Sequence, residues 1–190
     1  MNKAIFLDRD GTINVEKHYL YKIEDFEFLP GTIEALKKLQ AAGFLLIIVT
    51  NQSGIARGYY SEKDMLVLHN WMLKQFSKQG INISAIYYCP HLPNAPLPEY
   101  RKDCICRKPQ LGMFMQAVEE FNIDLCQSYA IGDKLRDCSI CFESECMGFL
   151  IGKNEADVIL QNVQDEYYKN IWYASSLLDC ANIITKNCEK

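Results

Sequence analysis

Several features that would assign a partner or a compartment outright are missing from this sequence. No apolar run comes near the roughly 20 residues needed to span a bilayer; the longest, Gly43 to Val49, has the length of a strand. A positive excess is missing too: 20 Lys and Arg stand against 24 Asp and Glu, for a net charge of −4. The basic residues are scattered, so the clustered basic face of a nucleic-acid binder is not expected. Met1-Asn2-Lys3 leads directly into an apolar segment, leaving no room for a secretory signal. Internal repeats, low-complexity tracts, hairpin signals and interdomain linkers are also lacking. Together these absences predict a soluble, cytoplasmic, single-domain protein spanning residues 1–190, a monomer with neither membrane nor nucleic-acid partner.

Cysteine, in contrast, is abundant. Nine occur, and in a reducing compartment they should be read as metal ligands where clustered and as small core residues where isolated. Cys126, Cys138, Cys141, Cys146 and Cys180 lie within or beside apolar segments and are expected to be structural. Cys188 lies in a polar tail. Cys89, His91, Cys104 and Cys106 have the ligand types of a closed structural zinc site. Their Cys-x-His and Cys-x-Cys arms are tighter than the usual two-residue gap, so spacing alone leaves zinc competing with chance in a cysteine-rich chain.

Elsewhere, short apolar runs alternate with helical patterns. Strands are expected near Lys3–Leu7, Phe44–Val49, Ile83–Tyr88, Tyr129–Ile131, Phe149–Ile151 and Asp157–Leu160. A helix should open at Pro30-Gly31, carry Ile33, Leu36, Leu39 and Ala41 as its apolar stripe, and close at Gly43. Ser61 followed by Asp64 resembles a capping box ahead of Met65, Leu68, Met72 and Phe76. On that helix His69 reads as a bystander and Trp71 as core or half-buried surface. Leu111–Phe121 returns to helix, another follows from about Arg136, and Trp172, Leu177, Ala181 and Ile184 suggest a last one. Between Cys89 and Pro109 lies a long loop rich in Pro, Cys and charge, of a kind that usually has its own role or its own staple. This rhythm predicts an α/β fold, a Rossmann-like three-layer sandwich around a parallel sheet.

Three of these strands end abruptly in polar residues: Asp8 and Asp10 after the first, Thr50 to Ser53 after the second, Gly132-Asp133 after the fourth. In a parallel sheet all carboxyl ends share one edge, so the three clusters should meet there. Asp8 and Asp10, two apart, can converge on a hard cation such as Mg²⁺, which suits a metal-dependent nucleophile acting on a phosphate. The same residues also make an ordinary solvated turn, and this stretch alone does not separate the readings. Thr50 and Asn51 bring donors, Asp133 a third acid, and Arg107-Lys108 fixed positive charge for an anion.

Asp8-Arg9-Asp10-Gly11-Thr12, Thr50-Asn51-Gln52, Lys108 and Gly132-Asp133 with Asp137 resemble the four motifs of the haloacid dehalogenase superfamily of phosphatases. More narrowly, the segments 8–14, 50–58, 87–91, 104–109 and 132–135 are similar to the D-glycero-D-manno-heptose 1,7-bisphosphate 7-phosphatases. The resemblance, over residues 3 to 137, implies a phosphatase serving nucleotide-heptose biosynthesis for lipopolysaccharide core or surface glycan. It implies Asp8 as nucleophile, Asp10 as acid and base, and Thr50 and Lys108 on the phosphoryl oxygens. Mg²⁺ would be held by Asp8, the Asp10 backbone carbonyl and Asp133, with Asp137 orienting Lys108 or the metal site. Zinc would be held by Cys89, His91, Cys104 and Cys106, stapling loop 89–109. Glu16, Lys17, His18, Tyr19, Asn51, Gln52, Ser53, Arg107 and Lys134 fall at substrate-contacting positions for a phosphorylated sugar. Histidinol-phosphate phosphatases share the aspartates and the zinc loop and are the nearest rival; a zinc-stapled binding module without catalysis is the rival of another class. The spacers are too short for a cap domain, so a capless enzyme is expected.

Overall fold

A computed structural model describes residues 1–152 and 168–188. The expected strand near 157–160 lies outside the described residues. Six parallel strands form one sheet: β1 (Ala4–Leu7), β2 (Leu45–Asn51), β3 (Ile83–Cys89), β4 (Tyr129–Gly132), β5 (Met147–Ile151) and β6 (Ile171–Ala174), in the order β3-β2-β1-β4-β5-β6. The chain runs outward from β1 to β3, then returns to the other flank of β1 with β4. The direction of winding therefore reverses between β1 and β4, the place where open α/β sheets leave a crevice for ligands.

Both faces of the sheet are covered, which explains why its strands read as continuous apolar runs. Ile5, Leu7, Leu46, Ile48, Tyr129 and Ile131 face α1 (Thr32–Ala41), α2 (Glu62–Lys78) and α4 (Leu177–Cys188). Ala4, Phe6, Ile47, Val49, Ala130 and Leu150 face α3 (Gly112–Phe121) and a 3-10 segment, Leu135–Phe142. The period of 2 along each strand thus builds two cores and three layers. Phe6 meets Phe114 edge-on at 5.3 Å and anchors the second core.

Local signals explain most element ends. The capping box forms: Ser61 accepts from the Asp64 amide, and the Asp64 carboxylate accepts from the Ser61 amide. Met65, Leu68, Met72 and Phe76 are buried as the spacing predicts. Gly43 closes α1's turn at φ 85°, where a side chain would be strained.

Some expectations need correction. α1 buries Thr32, Ala35, Leu36 and Leu39, while Ala41 is exposed because it falls on the last, outward turn. The helix expected from Arg136 is the 3-10 segment, kinked at Cys138. Trp172 belongs to β6, not to the last helix, and Cys126 is exposed on a 3-10 turn rather than structural. Cys138, Cys141, Cys146 and Cys180 are buried as expected. Among the described residues no cap domain stands over the carboxyl edge, and no helix is long and apolar enough to cross a membrane.

Candidate active site

Register brings the site together. Leu7 pairs with both Ile48 and Ile131, and the Asp8 amide donates to Ile131 O at 3.0 Å, so Asp8 emerges between the ends of β2 and β4. Gly11 turns the chain back at φ 82°, and a Cβ there would stand 2.6 Å from the Asp133 carboxylate. Only glycine allows that approach.

Lys108 is the electrostatic hub. It is 2% exposed, and its Nζ lies 2.9 Å from Asp8 Oδ1, 2.7 Å from Asp137 Oδ1 and 2.6 Å from Val49 O. Burial works to lower its pKa; Asp137 and Asp8 outweigh that and raise it, holding the lysine charged. Asn51 clamps the Lys108 backbone from both sides, accepting from its amide at 3.1 Å and donating to its carbonyl at 3.0 Å. The loop lysine is thereby fixed to the end of β2.

The two acids of the first motif sit in different surroundings. Asp8 is pushed up to about 6 by burial, with Lys108 opposing and Asp137 and Asp10 adding to the rise. Asp10 is half-buried, and although burial works against it its pKa falls, because Arg9, Asn14 and Gln52 all favour the ionised form. Arg9 Nη2 reaches both Asp10 oxygens at 3.0 and 2.8 Å, Asn14 Nδ2 donates at 3.0 Å and Gln52 Nε2 at 2.9 Å. Gln52 also donates to Thr50 Oγ1 at 2.9 Å and accepts from Tyr60 at 2.6 Å. Environments that drive two neighbouring carboxyls apart are a mark of divided acid–base labour.

The carboxylates of Asp8, Asp133 and Asp137 gather within 4.8 Å of one another. Hard oxygen donors crowded in this way fit a divalent cation such as Mg²⁺. The Asp10 carboxylate is not in this group and is held instead by Arg9, Asn14 and Gln52. Cys89, His91 and Cys104 form a second group of donors within 4.8 Å, with Cys89 Sγ 3.8 Å from His91 Nδ1. These donors suit zinc. The expected fourth ligand, Cys106, neighbours Cys104 but stands outside that group.

A cleft of about 270 Å³ opens above Asp8 and Asp10, lined also by Glu16, His18, Tyr19, Asn51, Gln52, Ser53, Gly54, Tyr60, Arg107, Arg136 and Asp137. Most of the expected substrate residues therefore converge. Lys17 does not: it is exposed and pairs with Glu27 at 3.2 Å. Lys134 is likewise absent from the wall, its Nζ 2.7 Å from Asp133. His18 and Tyr19 adopt φ of 50° and 67°, which holds their short loop in a tight, uncommon turn.

Four functional groups escaped the sequence reading. Arg9 is fully buried and carries Asp10; Asn14 and Tyr60 complete the same network; and Arg136 lines the cleft. His69 is no bystander, since its Nε2 lies 3.0 Å from Arg9 Nη1. A charged residue directly after a strand buried on both faces was the one available signal, at Arg9.

The comparisons with known proteins agree with this geometry. The family model for polynucleotide kinase 3 phosphatase matches residues 3–137. The D-glycero-beta-D-manno-heptose-1,7-bisphosphate 7-phosphatase of Pasteurella multocida is 43% identical over 175 residues, 87% of this chain and 95% of its own. The D-glycero-alpha-D-manno-heptose-1,7-bisphosphate 7-phosphatase of Campylobacter jejuni is 50% identical over 153 residues, 80% of this chain and 83% of its own. Among solved structures, D,D-heptose 1,7-bisphosphate phosphatase from B. bronchiseptica, complexed with magnesium and phosphate, superposes with a TM-score of 0.82 at 28% identity, covering 98% of this chain and 99% of that one. The chain thus belongs to the phosphatase family that the matching model describes and, by its relatives, to the heptose 1,7-bisphosphate 7-phosphatases of the haloacid dehalogenase superfamily.

Proposed function

We propose that the protein removes the 7-phosphate of D-glycero-D-manno-heptose 1,7-bisphosphate through an aspartyl-phosphate intermediate, on the way to nucleotide-activated heptose. The observation that carries this reading is the Lys108 ammonium bridging Asp8 and Asp137 at the floor of a cleft walled by polar groups. Asp8 attacks phosphorus, forming an acyl phosphate as the bond to the sugar oxygen breaks; Asp10 gives its proton to that oxygen. Water then attacks phosphorus in the phosphoenzyme as Asp10 takes its proton, and the bond to Asp8 breaks, releasing inorganic phosphate and restoring the carboxylate. In the empty cleft Arg9, Asn14 and Gln52 keep Asp10 ionised, the form that acts as base. An incoming phosphoryl dianion raises its affinity for the proton it must first donate. Lys108 and Thr50 stabilise the equatorial oxygens, and Asp137 fixes Lys108.

Magnesium, held by Asp8, Asp133 and the Asp10 carbonyl, would neutralise charge on the phosphoryl group. Zinc, held by Cys89, His91 and Cys104 with Cys106 as the fourth donor, would staple the loop that carries Arg107 and Lys108. Glu16, His18 and Tyr19, with Asn51 and Ser53, supply the donors and acceptors a polyol needs, and Arg107 takes the non-reacting phosphate. The protein works as one domain, 1–190, in the cytoplasm and as a monomer.

The test compares phosphate release from both anomers of heptose 1,7-bisphosphate with release from histidinol phosphate. A preference above about tenfold in kcat/KM, worth roughly 1.4 kcal/mol in transition-state binding, is expected for one heptose anomer. Equal turnover of histidinol phosphate would refute the substrate assignment. Asp8→Asn should lower turnover by a thousandfold or more while fold and zinc content stay intact; a variant that keeps its turnover refutes the nucleophile.

A further inference from the structure

Resting on the bisphosphate reading, we infer that Arg136 is a specificity-determining residue, a second cation for the non-reacting phosphate that makes the cleft favour a bisphosphate over the corresponding monophosphate. Three arginines lie in this region: Arg107 and Arg136 line the cleft, and Arg57 stands exposed beside the Tyr19 loop that walls it. Two of them have local work. Arg57 lies over the Tyr19 ring at 5.7 Å, and Tyr19 meets Tyr59 edge-on at 4.8 Å, so Arg57 helps hold the loop that forms one wall. Arg107 donates to His91 O at 3.1 Å, which ties it to the cysteine–histidine loop. Arg136 lines the cleft and, among the described residues, has neither a hydrogen-bond partner nor an ion pair. Asp137, next in the chain, is paired with Lys108, and Asp133 is held at 2.7 Å by Lys134 and only feels the charge of Arg136, without an ion pair between them.

Its backbone is not loose. Asp137 Oδ2 accepts from the Lys134 amide at 3.0 Å, and the Asp137 amide donates to Lys134 O at 2.9 Å, closing a tight turn around Arg136. The same Asp137 touches Lys108, so Arg136 is mounted one residue from the catalytic floor yet exposed at the cleft wall. Arg107 and Arg136 line the same cleft of about 270 Å³, two cations facing one space. Like charges facing an empty cleft repel, and an anion between them relieves that repulsion. A planar guanidinium presents paired donors that match phosphate oxygens, which a solvated surface arginine would leave to water.

A second phosphate bound equally in ground and transition states acts on KM, not on kcat. The experiment measures kcat and KM for heptose 1,7-bisphosphate and for heptose 7-phosphate in the wild type, Arg136→Gln and Arg136→Lys. The expected result is that Arg136→Gln cuts the bisphosphate-to-monophosphate ratio of kcat/KM about tenfold, through KM, with Arg136→Lys intermediate. A ratio within twofold of wild type, or a fall of the same factor on both substrates, overturns the inference while the bisphosphatase reading stands. A wild type with no preference for the bisphosphate overturns both.

Discussion

At the scale of single residues the controlling group is Arg9, the largest fully buried side chain among the described residues. Its guanidinium is shared among Asp10, Leu20 O at 3.0 Å and His69, so it links the second carboxylate of the motif, the loop at 16–21 and α2. His69 is 3% exposed, and burial, with Arg9 adding to it, pushes its pKa down to about 3. At neutral pH it is therefore uncharged in the fold, and on acidification the unfolded chain takes up its proton first. Since the folded pKa lies below the ordinary 6.5, stability is complete above pH 6.5 and is lost as pH falls from there toward 3. The loss approaches about 1.4 kcal/mol per pH unit well inside that window. Asp8, pushed up to about 6, adds stability as pH falls through the same range and opposes this loss. The test is therefore the difference between two proteins: the denaturant midpoint of wild type should fall relative to that of His69→Gln between pH 7 and 5, and a constant difference would remove His69 as the source. Gly11→Ala tests the other end of the motif. A methyl there meets the Asp133 carboxylate and demands a strained φ, so a stability loss of about 1 to 3 kcal/mol is expected together with weakened magnesium dependence of activity. The motif Asp8-Arg9-Asp10-Gly11 was legible as chemistry because an apolar strand broke off at it. The work of Arg9 was not, because its partner His69 lies 60 residues away and local pattern carries no such distance.

At the scale of elements, periodicity carried most of the reading. Strands buried on both faces read as apolar runs, and α2 announced both its start and its face. Ser61→Ala should remove one half of the capping box and cost about 1 kcal/mol, read as a lower denaturant midpoint with activity unchanged; a shift under 0.3 kcal/mol would mean that the Asp64 carboxylate caps the helix unaided. Less was legible where elements are short or sit at the edge. Leu135–Phe142 is a 3-10 turn whose shape follows from Asp137 being drawn to the Lys134 amide three residues back and to Lys108, the second a tertiary contact that local pattern does not announce. Trp172, spaced like a helix residue, lies in an edge strand where it is 43% exposed, so no alternation of burial betrayed it.

At the scale of the whole molecule, the site is assembled from three strand ends and one loop, and the loop is tethered in ways of unequal strength. Glu62 accepts from Tyr88 at 2.6 Å and from Tyr100 at 2.9 Å, joining α2 to β3 and to the loop. Lys108 is held by Asn51, Asp8 and Asp137, none of which depends on the cysteine–histidine cluster. Arg107 is tied to His91 itself, through the carbonyl. Under the zinc proposal, loss of the metal should therefore loosen Arg107 before Lys108. Cys104→Ser, or chelation followed by restored magnesium, is expected to raise KM for the bisphosphate several-fold, to change kcat less, and to lower Tm by several degrees. Zinc content measured on the same samples should fall in step with the rise in KM. Purified protein without zinc, or a loss confined to kcat, would count against the staple: the first removes the metal, and the second would place its influence on Lys108, where the hydrogen bonds from Asn51 leave it little to do.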